Sequence, residues 1–275
     1  MAINTGSFAK ALWPGVNSWY GQAYDEHGVE YTDLFNTESS RKAYEEDMGT
    51  SMFGLAAVKP EGGQITYDTA QQGFLTRYTH VTYGLGFIIT REMVDDDLYD
   101  IIGKNRAQGL AFSMRQTKEI IAANVYNNAF DSTYSGGDGK ELLATDHPTI
   151  MGAAFANENT AATLSEASLE DLSIDIMQAK NDRGLNISLI PDCLIINPEL
   201  VYEADRILNS PLRVGTANND LNALRNMGKF PGGVKVNHYL TDTNAYFIRT
   251  NCPDGMKHFE RRSDDFTMDN DFDTD

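Results

Sequence analysis

Residues 95–131 read DDLYDIIGKNRAQGLAFSMRQTKEIIAANVYNNAFD from Asp96 onward, with Asp95 before them, and the reading of this stretch decides the fold. No proline interrupts it. Good helix formers fill it: Leu98, Ala107, Gln108, Leu110, Ala111, Met114, Arg115, Gln116, Lys118, Glu119, Ala122 and Ala123. Apolar positions Leu98, Ile101, Ile102, Leu110, Met114, Ile121, Val125 and Ala129 recur at spacings that fit one helical stripe. A single helix over the stretch would be roughly 50 Å long at about 1.5 Å per residue, longer than most globular helices. Gly103 and Gly109 are the points where it weakens or bends.

The stretch is entered through an acidic run, MVDDDLYDII (93–102). Two readings of it compete. In the first, Asp95 or Asp96 accepts hydrogen bonds from the free amides of the first turn, and the other carboxylates oppose the positive end of the helix. In the second, Asp95–Asp100 hold a metal. That needs ligands converging from elsewhere, because consecutive helix positions point in different directions. Capping is the expectation.

Working towards the N-terminus, residues 51–90 read SMFGLAAVKPEGGQITYDTAQQGFLTRYTHVTYGLGFIIT. Pro60-Glu61-Gly62-Gly63 is a turn signal. β-Branched and aromatic residues flank it, which predicts a long hairpin-like arm and then a strand through Phe87, Ile88 and Ile89. A two-stranded ribbon is marginal alone in water, so a partner surface is expected to hold it. Residues 38–48, ESSRKAYEEDM, read as a short polar helix. Residues 1–37 carry Phe8, Trp13, Trp19, Tyr20, Tyr24, Tyr31 and Phe35 without a long amphipathic period. Such a segment packs along its own domain or on a neighbour.

Working the other way, SGGDGKELLATDHPT (135–149) reads as loop with a strand or two, and MGAAFANENTAATLS (151–165) as a domain crossing. Ser168-Leu169-Glu170-Asp171 resembles a capping box with Asp in place of Glu. It predicts a helix through Leu172, Ile176 and Ala179, closed by Gly184. LNISLIPDCLIIN (185–197) predicts a buried strand at Cys193–Ile196. Asn197 then caps a helix with Pro198 at its first position and Leu200, Ala204, Ile207 and Leu208 on one face. Residues 209–233 read as loop, and Val234–Leu240 and Ala245–Thr250 as strands. This order predicts a compact α/β domain over about 165–250. The chain ends in SDDFTMDNDFDTD.

The bulk properties narrow the function. The chain has 275 residues, 41% hydrophobic and 23% charged, enough for one large domain or two modest ones with a real core. No apolar run is long enough for a membrane span, and no signal-peptide core is expected. Cys193 and Cys252 form no CxxC pair and read as thiols in a reducing compartment. The net charge is −18, from 22 Lys and Arg against 40 Asp and Glu. Gripping nucleic acid needs a basic stripe to neutralise phosphates, and Arg261-Arg262 is the nearest thing to one. Phosphate-loop, dinucleotide and nucleophile-elbow patterns all fail on residue type or spacing. Histidines 27, 80, 147, 238 and 258 are scattered without a zinc-site spacing. Asp269, Asp271 and Asp273 start like a calcium loop but lack its glycine and closing Glu. No catalytic residue, cofactor or metal is expected.

An extended arm, a long hairpin and an overlong helix in one chain have the texture of an assembly part. The sequence resembles the major capsid protein of tailed bacteriophages, in the group related to the Mu-like head subunit. The stretches that carry the likeness are LFNTESSRKAYEEDMG (34–49), YTHVTYGLGFIITREMVDDDLYDII (78–102) with the long helix after it, PDCLIINPELVYEADRIL (191–208), and VNHYLTDTNAYFIRT (236–250) through HFERRSDDF (258–266).

The resemblance implies an α+β chain with the HK-ninety-seven-like capsid fold. Residues 1–37 would be the N-terminal arm. Residues 38–150 would be the first part of the peripheral domain, with the extended loop at about 50–80 and the spine helix at about 95–131. Residues 151–245 would be the α/β axial domain, with 209–233 near a symmetry axis. Residues 246–275 would supply the return strands of the peripheral domain and an acidic end. Residues implied at inter-subunit contacts are Trp13, Trp19, Lys59, Glu61, Gly62, Arg77, Arg213 and Arg225, and some relatives crosslink through a loop lysine, the place Lys59 holds here. No cleaved scaffolding segment is expected at the N-terminus, and relatives often run on past the point where this chain stops.

The implied function is a structural protein that self-assembles into the icosahedral head shell of a tailed phage around double-stranded DNA. Implied partners are the chain itself in pentamers and hexamers, scaffolding and portal proteins, a decoration protein, and DNA held without sequence-specific contacts. The implied location is the virion, after assembly in the host cytoplasm. An acidic inner wall would let packed DNA slide. The alternatives are an encapsulin-like cargo compartment, another phage-particle component or adhesion module, and an acidic carboxylate-metal enzyme.

Overall fold

Helices and strands come in short groups along the chain, and the first strand pairs with the last described one. The structure, a computed structural model, describes residues 9–90, 92, 96, 103–213, 220–253 and 255–267. Helix α1 (Ala9–Glu26) and the single turn α2 (Tyr31–Leu34) lead into β1 (Asn36–Ser39), β2 (Tyr44–Thr50) and β3 (Gln72–Thr79). The long helix α3 (Lys104–Asn127) follows, then α4 (Glu166–Met177) and β4 (Pro191–Ile196). A 3-10 turn, Pro198–Leu200, runs into α5 (Val201–Asn209), and α6 (Ala223–Met227), β5 (Gly233–Val236), β6 (Tyr246–Thr250) and β7 (Lys257–Glu260) complete the order.

The described strands make three small sheets, ordered β5-β4-β6, β2-β3 and β1-β7. In the first, β4 pairs parallel with β5 and antiparallel with β6. The two later strands are therefore neighbours of β4 rather than of each other. Cys193–Ile196 of β4 form the apolar run expected of a strand buried on both faces. Cys193 and Ile195 face Tyr31, Leu34, Phe35, Tyr126 and Phe247. Leu194 and Ile196 face Leu164, Leu169, Ala204, Ile207 and Leu224. A third cluster joins α1 to the start of α3 through Tyr20, Ala23, Ala107, Leu110 and Ala111. Helix α3 thus carries two separate cores along its length.

Several expectations stand. The buried strand, the Asn197 cap with Pro198 after it, and the inward Ala204 and Ile207 lie where the sequence puts them. Others need correction. Residues 38–48 form parts of β1 and β2 instead of a helix. Their helix-forming side chains are overruled by distant pairing, Asn36–Ser39 with Lys257–Glu260 and Tyr44–Met48 with Leu75–Thr79. Phe87–Ile89 form no strand. The cap of α4 is Ser165, which accepts from the Ser168 amide while the Ser168 hydroxyl accepts from the Ser165 amide. Ser168 is therefore the far member of the box, and the helix ends at Met177 rather than at Gly184. Gly184 instead closes a tight turn with φ +76°, a conformation suited to glycine. The aromatic N-terminal stretch contains the 18-residue helix α1, packed on α3.

Helix α3 bears out part of the stripe and corrects part: Leu110 and Ala129 are buried, Met114 and Ile121 half-buried, and Val125 is exposed. Its buried positions are Ala107, Leu110, Ala111, Arg115, Glu119, Ala122, Ala123 and Tyr126. Phe112, Ile120 and Val125 are exposed. The core face is built of small residues that let neighbours approach, with two charged ones among them. The described helix is roughly 36 Å long at about 1.5 Å per residue. Asp95, Asp97 and Asp100 lie outside the described residues. For Asp96, the amide donates to the Glu92 carbonyl at 2.9 Å.

Candidate assembly surfaces

The expected hairpin arm is corrected: its first strand is Tyr44–Thr50, before the stretch expected to form it, and the ribbon β2-β3 is in register from Tyr44↔Thr79 to Met48↔Leu75 and bulged before Thr50↔Gln72. Register sets Glu46 opposite Arg77. The Arg77 Nε donates to the Glu46 Oε1 at 2.7 Å, and the guanidinium lies 4.4 Å from the centre of the Tyr44 ring. Past Thr50 the chain leaves strand geometry and returns only at Gln72, so residues 51–71 form an extended loop. At its tip the Gly63 amide donates to the Pro60 carbonyl at 3.0 Å, and Gly62 takes φ +76°.

That loop carries apolar side chains with nothing over them. Leu55 is 83% exposed, Val58 96% and Tyr67 90%, and Met52, Phe53 and Ile65 are exposed as well. Covering a large apolar side chain fully is worth about 1.5–3 kcal/mol. A contiguous run of uncovered ones marks a docking surface in a soluble protein.

Of the contact residues picked from sequence, Lys59, Glu61 and Gly62 come together, exposed, at the loop tip. Arg77 lies at the base of the ribbon. Trp13 falls within α1, and Trp19, later in the same helix, is partly buried against the cluster that joins α1 to α3. Arg213 Nε sits 3.2 Å from Glu166 at the start of α4, and Arg225 is exposed on α6. The eight residues therefore spread over the loop, α1 and the α4–α6 side rather than forming one site.

Charge inside the molecule is spent on structure. Glu119 of α3 reaches the start of α2, where it accepts from the Tyr31 amide at 2.8 Å and the Glu30 amide at 3.1 Å. It supplies the cap that the Glu30 side chain does not. Burial raises the Glu119 carboxyl above the usual carboxylate range, against the pull of the two amides. One turn earlier, Arg115 stacks 4.0 Å over the Tyr24 ring and donates to the Tyr24 carbonyl. Sequence reasoning passed over both. The signal available was their i, i+4 spacing in line with Ala107, Ala111 and Ala122.

Near these residues an open cleft of about 310 Å³ lies between α1, α3 and the segment after β7. Within it Lys118 pairs with Glu260 at 2.9 Å, and the Tyr20 hydroxyl donates to Asp264. Burial raises the Tyr20 and Tyr24 hydroxyls, which disfavours their use as bases. The Cys193 thiol is buried and likewise raised, and Cys252 is also a free thiol. Among the described residues no group of three His, Cys, Asp or Glu side chains is placed to hold a metal. Among them, too, no helix is long and apolar enough to cross a membrane.

Comparison with known proteins adds to this geometry. The model of the family described as phage capsid protein matches residues 74–275. No curated protein matches the sequence. Among solved structures, the capsid of bacteriophage JBD30 superposes with a TM-score of 0.62 at 12% identity, over 78% of this chain and 92% of that one. The procapsid of the same phage gives 0.57 at 13% identity, over 86% of this chain and 99% of that one. The JBD30 capsid decorated with minor capsid protein trimers gives 0.56 at 13% identity, over 78% and 92%. The mixed helix and strand architecture therefore resembles a phage capsid fold.

Proposed function

This chain belongs to the phage capsid protein family, a structural subunit of the phage head shell, and from that premise we propose how its parts serve the shell. The exposed apolar loop 51–71 is the observation that carries the reading. It finds no core in its own chain, so it gains one on the next subunit. Repeating that head-to-tail contact around an axis closes rings, pentamers and hexamers, through heterologous interfaces.

In this reading the fold is HK-ninety-seven-like. The segment up to residue 37 is an N-terminal arm, 38–150 and 246–275 make the peripheral domain with α3 as its spine, and 151–245 make the axial domain around β4. Lys59, Glu61 and Gly62 lie at the tip of the reaching loop. Trp13, Trp19, Arg77, Arg213 and Arg225 join them at contacts with neighbours. Scaffolding, portal and decoration proteins are the partners, assembly takes place in the host cytoplasm, and the shell holds DNA without base-specific contacts. The charge of −18 supports an inner wall that packed DNA slides along, since fixed phosphate contacts need cations.

Electron microscopy of the purified protein, alone and with its neighbouring gene products, tests this. Closed shells or hexameric sheets are the expected result. A uniform monomer or dimer under every condition would overturn it.

A further inference from the structure

The neck of the extended loop is held by a turn from another part of the chain. Within the neck, Ser51 and Gln71 close the two strands, with the Ser51 amide donating to the Gln71 carbonyl at 2.9 Å and the Gln71 amide to the Ser51 hydroxyl at 2.8 Å. Just beyond, the connection between α4 and β4 reaches in. The Asp182 carboxylate accepts from the Met52 amide at 3.2 and 3.3 Å. Arg183 donates from Nε to the Met52 carbonyl at 3.1 Å, and from Nη2 to the Thr69 carbonyl at 3.0 Å and to Asp68 at 3.3 Å. One guanidinium thus ties the outgoing strand of the loop to the returning one. Asp68 completes the clasp by accepting from the Gly54 and Thr69 amides, both at 2.8 Å.

The turn that offers Asp182 and Arg183 is itself rigid. Asn181 Oδ1 accepts from the Arg183 and Leu185 amides at 3.0 and 2.9 Å, and the Asn181 amide donates to the Leu185 carbonyl at 2.8 Å. Gly152 packs so closely against its back that a Cβ there would stand 2.6 Å from the Asp182 carbonyl oxygen. By contrast, residues 55–67 make no hydrogen bond to any other described part of the chain beyond the tip's own Pro60–Gly63 turn.

We propose that Asp182 and Arg183 form a latch that sets the angle at which the loop leaves the subunit. Releasing Met52, Asp68 and Thr69 frees the loop to re-aim on a neighbouring copy. The latch joins the loop to the connection leading into β4, so a shift of either part is felt by the other. This inference rests on reading 51–71 as the part that meets a neighbour.

Hydrogen exchange of the full chain tests the latch apart from assembly. In Arg183→Gln the Met52 and Gly54 amides are expected to exchange at least roughly tenfold faster, while those of Leu194–Ile196 keep the parent rate. Asp68→Ala, which touches only the exposed side of the clasp, gives the same local change and serves if Arg183→Gln loosens the whole molecule. Parent rates at Met52 and Gly54 in both variants would overturn the latch. Electron microscopy of the same samples separates the two ideas. A parent chain that forms no shells sinks the shell reading but leaves the exchange result standing. Unchanged exchange beside normal shells sinks the latch alone.

Discussion

Strand β4 and the loop 51–71 use the same kinds of residue to opposite ends. Leu194, Ile195 and Ile196 are fully buried between two clusters of their own chain. Leu55, Val58 and Ile65 stand in solvent on a loop tied down only at its neck. The first group stabilises the subunit. The second stabilises nothing until another surface arrives. In a shell protein, the stability of the part and the stability of the whole are therefore held by different residues.

The largest expected effect on the subunit itself comes from β4. Leu194→Ala should cost about 2–5 kcal/mol, read as a lower denaturation midpoint, because it opens a cavity between sheet and helices. On the loop the pattern reverses. Val58→Asp should leave the subunit midpoint within about 0.5 kcal/mol while reducing shell yield in sedimentation roughly tenfold, since a charge placed in an apolar interface lacks a partner. Equal damage to stability and assembly in either variant would break the comparison.

Smaller changes sharpen it. Glu119→Ala removes the cap of α2 and leaves the buried Tyr31 amide and the half-buried Glu30 amide unpaired, which should cost about 1–3 kcal/mol. Glu119 also gives stability a pH dependence. Its folded pKa is raised, so the folded state holds the proton more tightly than the unfolded chain. The contribution is complete below the unfolded carboxyl value and is lost as pH rises through the folded one. Thermal melts across that range should show the fall, and Glu119→Gln should flatten it. The smallest effect is expected at the ribbon base. Arg77→Ala removes an exposed pair with Glu46 and should change the midpoint by less than about 1 kcal/mol.

The sequence showed most where a signal was local. The apolar run into β4, the Asn197-Pro198 cap and the Pro60–Gly63 turn each rest on neighbouring residues, and each was readable. Residues 38–48 were misread because their structure depends on partners at 75–79 and 257–260, which no window around them contains. The stripe on α3 was legible in part, at Leu110 and Ala129, but Val125 is exposed and Ala107, Ala111 and Ala122, which the large apolar residues mask in the pattern, make close contacts. The proposed assembly surface was legible only as a hairpin-like arm too marginal to stand alone; that it is an irregular loop with exposed apolar side chains was not. The latch was not, because Arg183 lies far along the chain from the residues it clasps.

The parallel pairing of β1 with β7 has a consequence for synthesis. Asn36 leaves the ribosome well before Lys257 and waits for it, so everything between β1 and β7 must be translated before the two strands pair. A nascent chain halted before β7 carries an open strand edge beside its uncovered loop, two adhesive features at once. The order of translation thus keeps this strand pair unfinished until late, and β1 has no strand partner until β7 arrives.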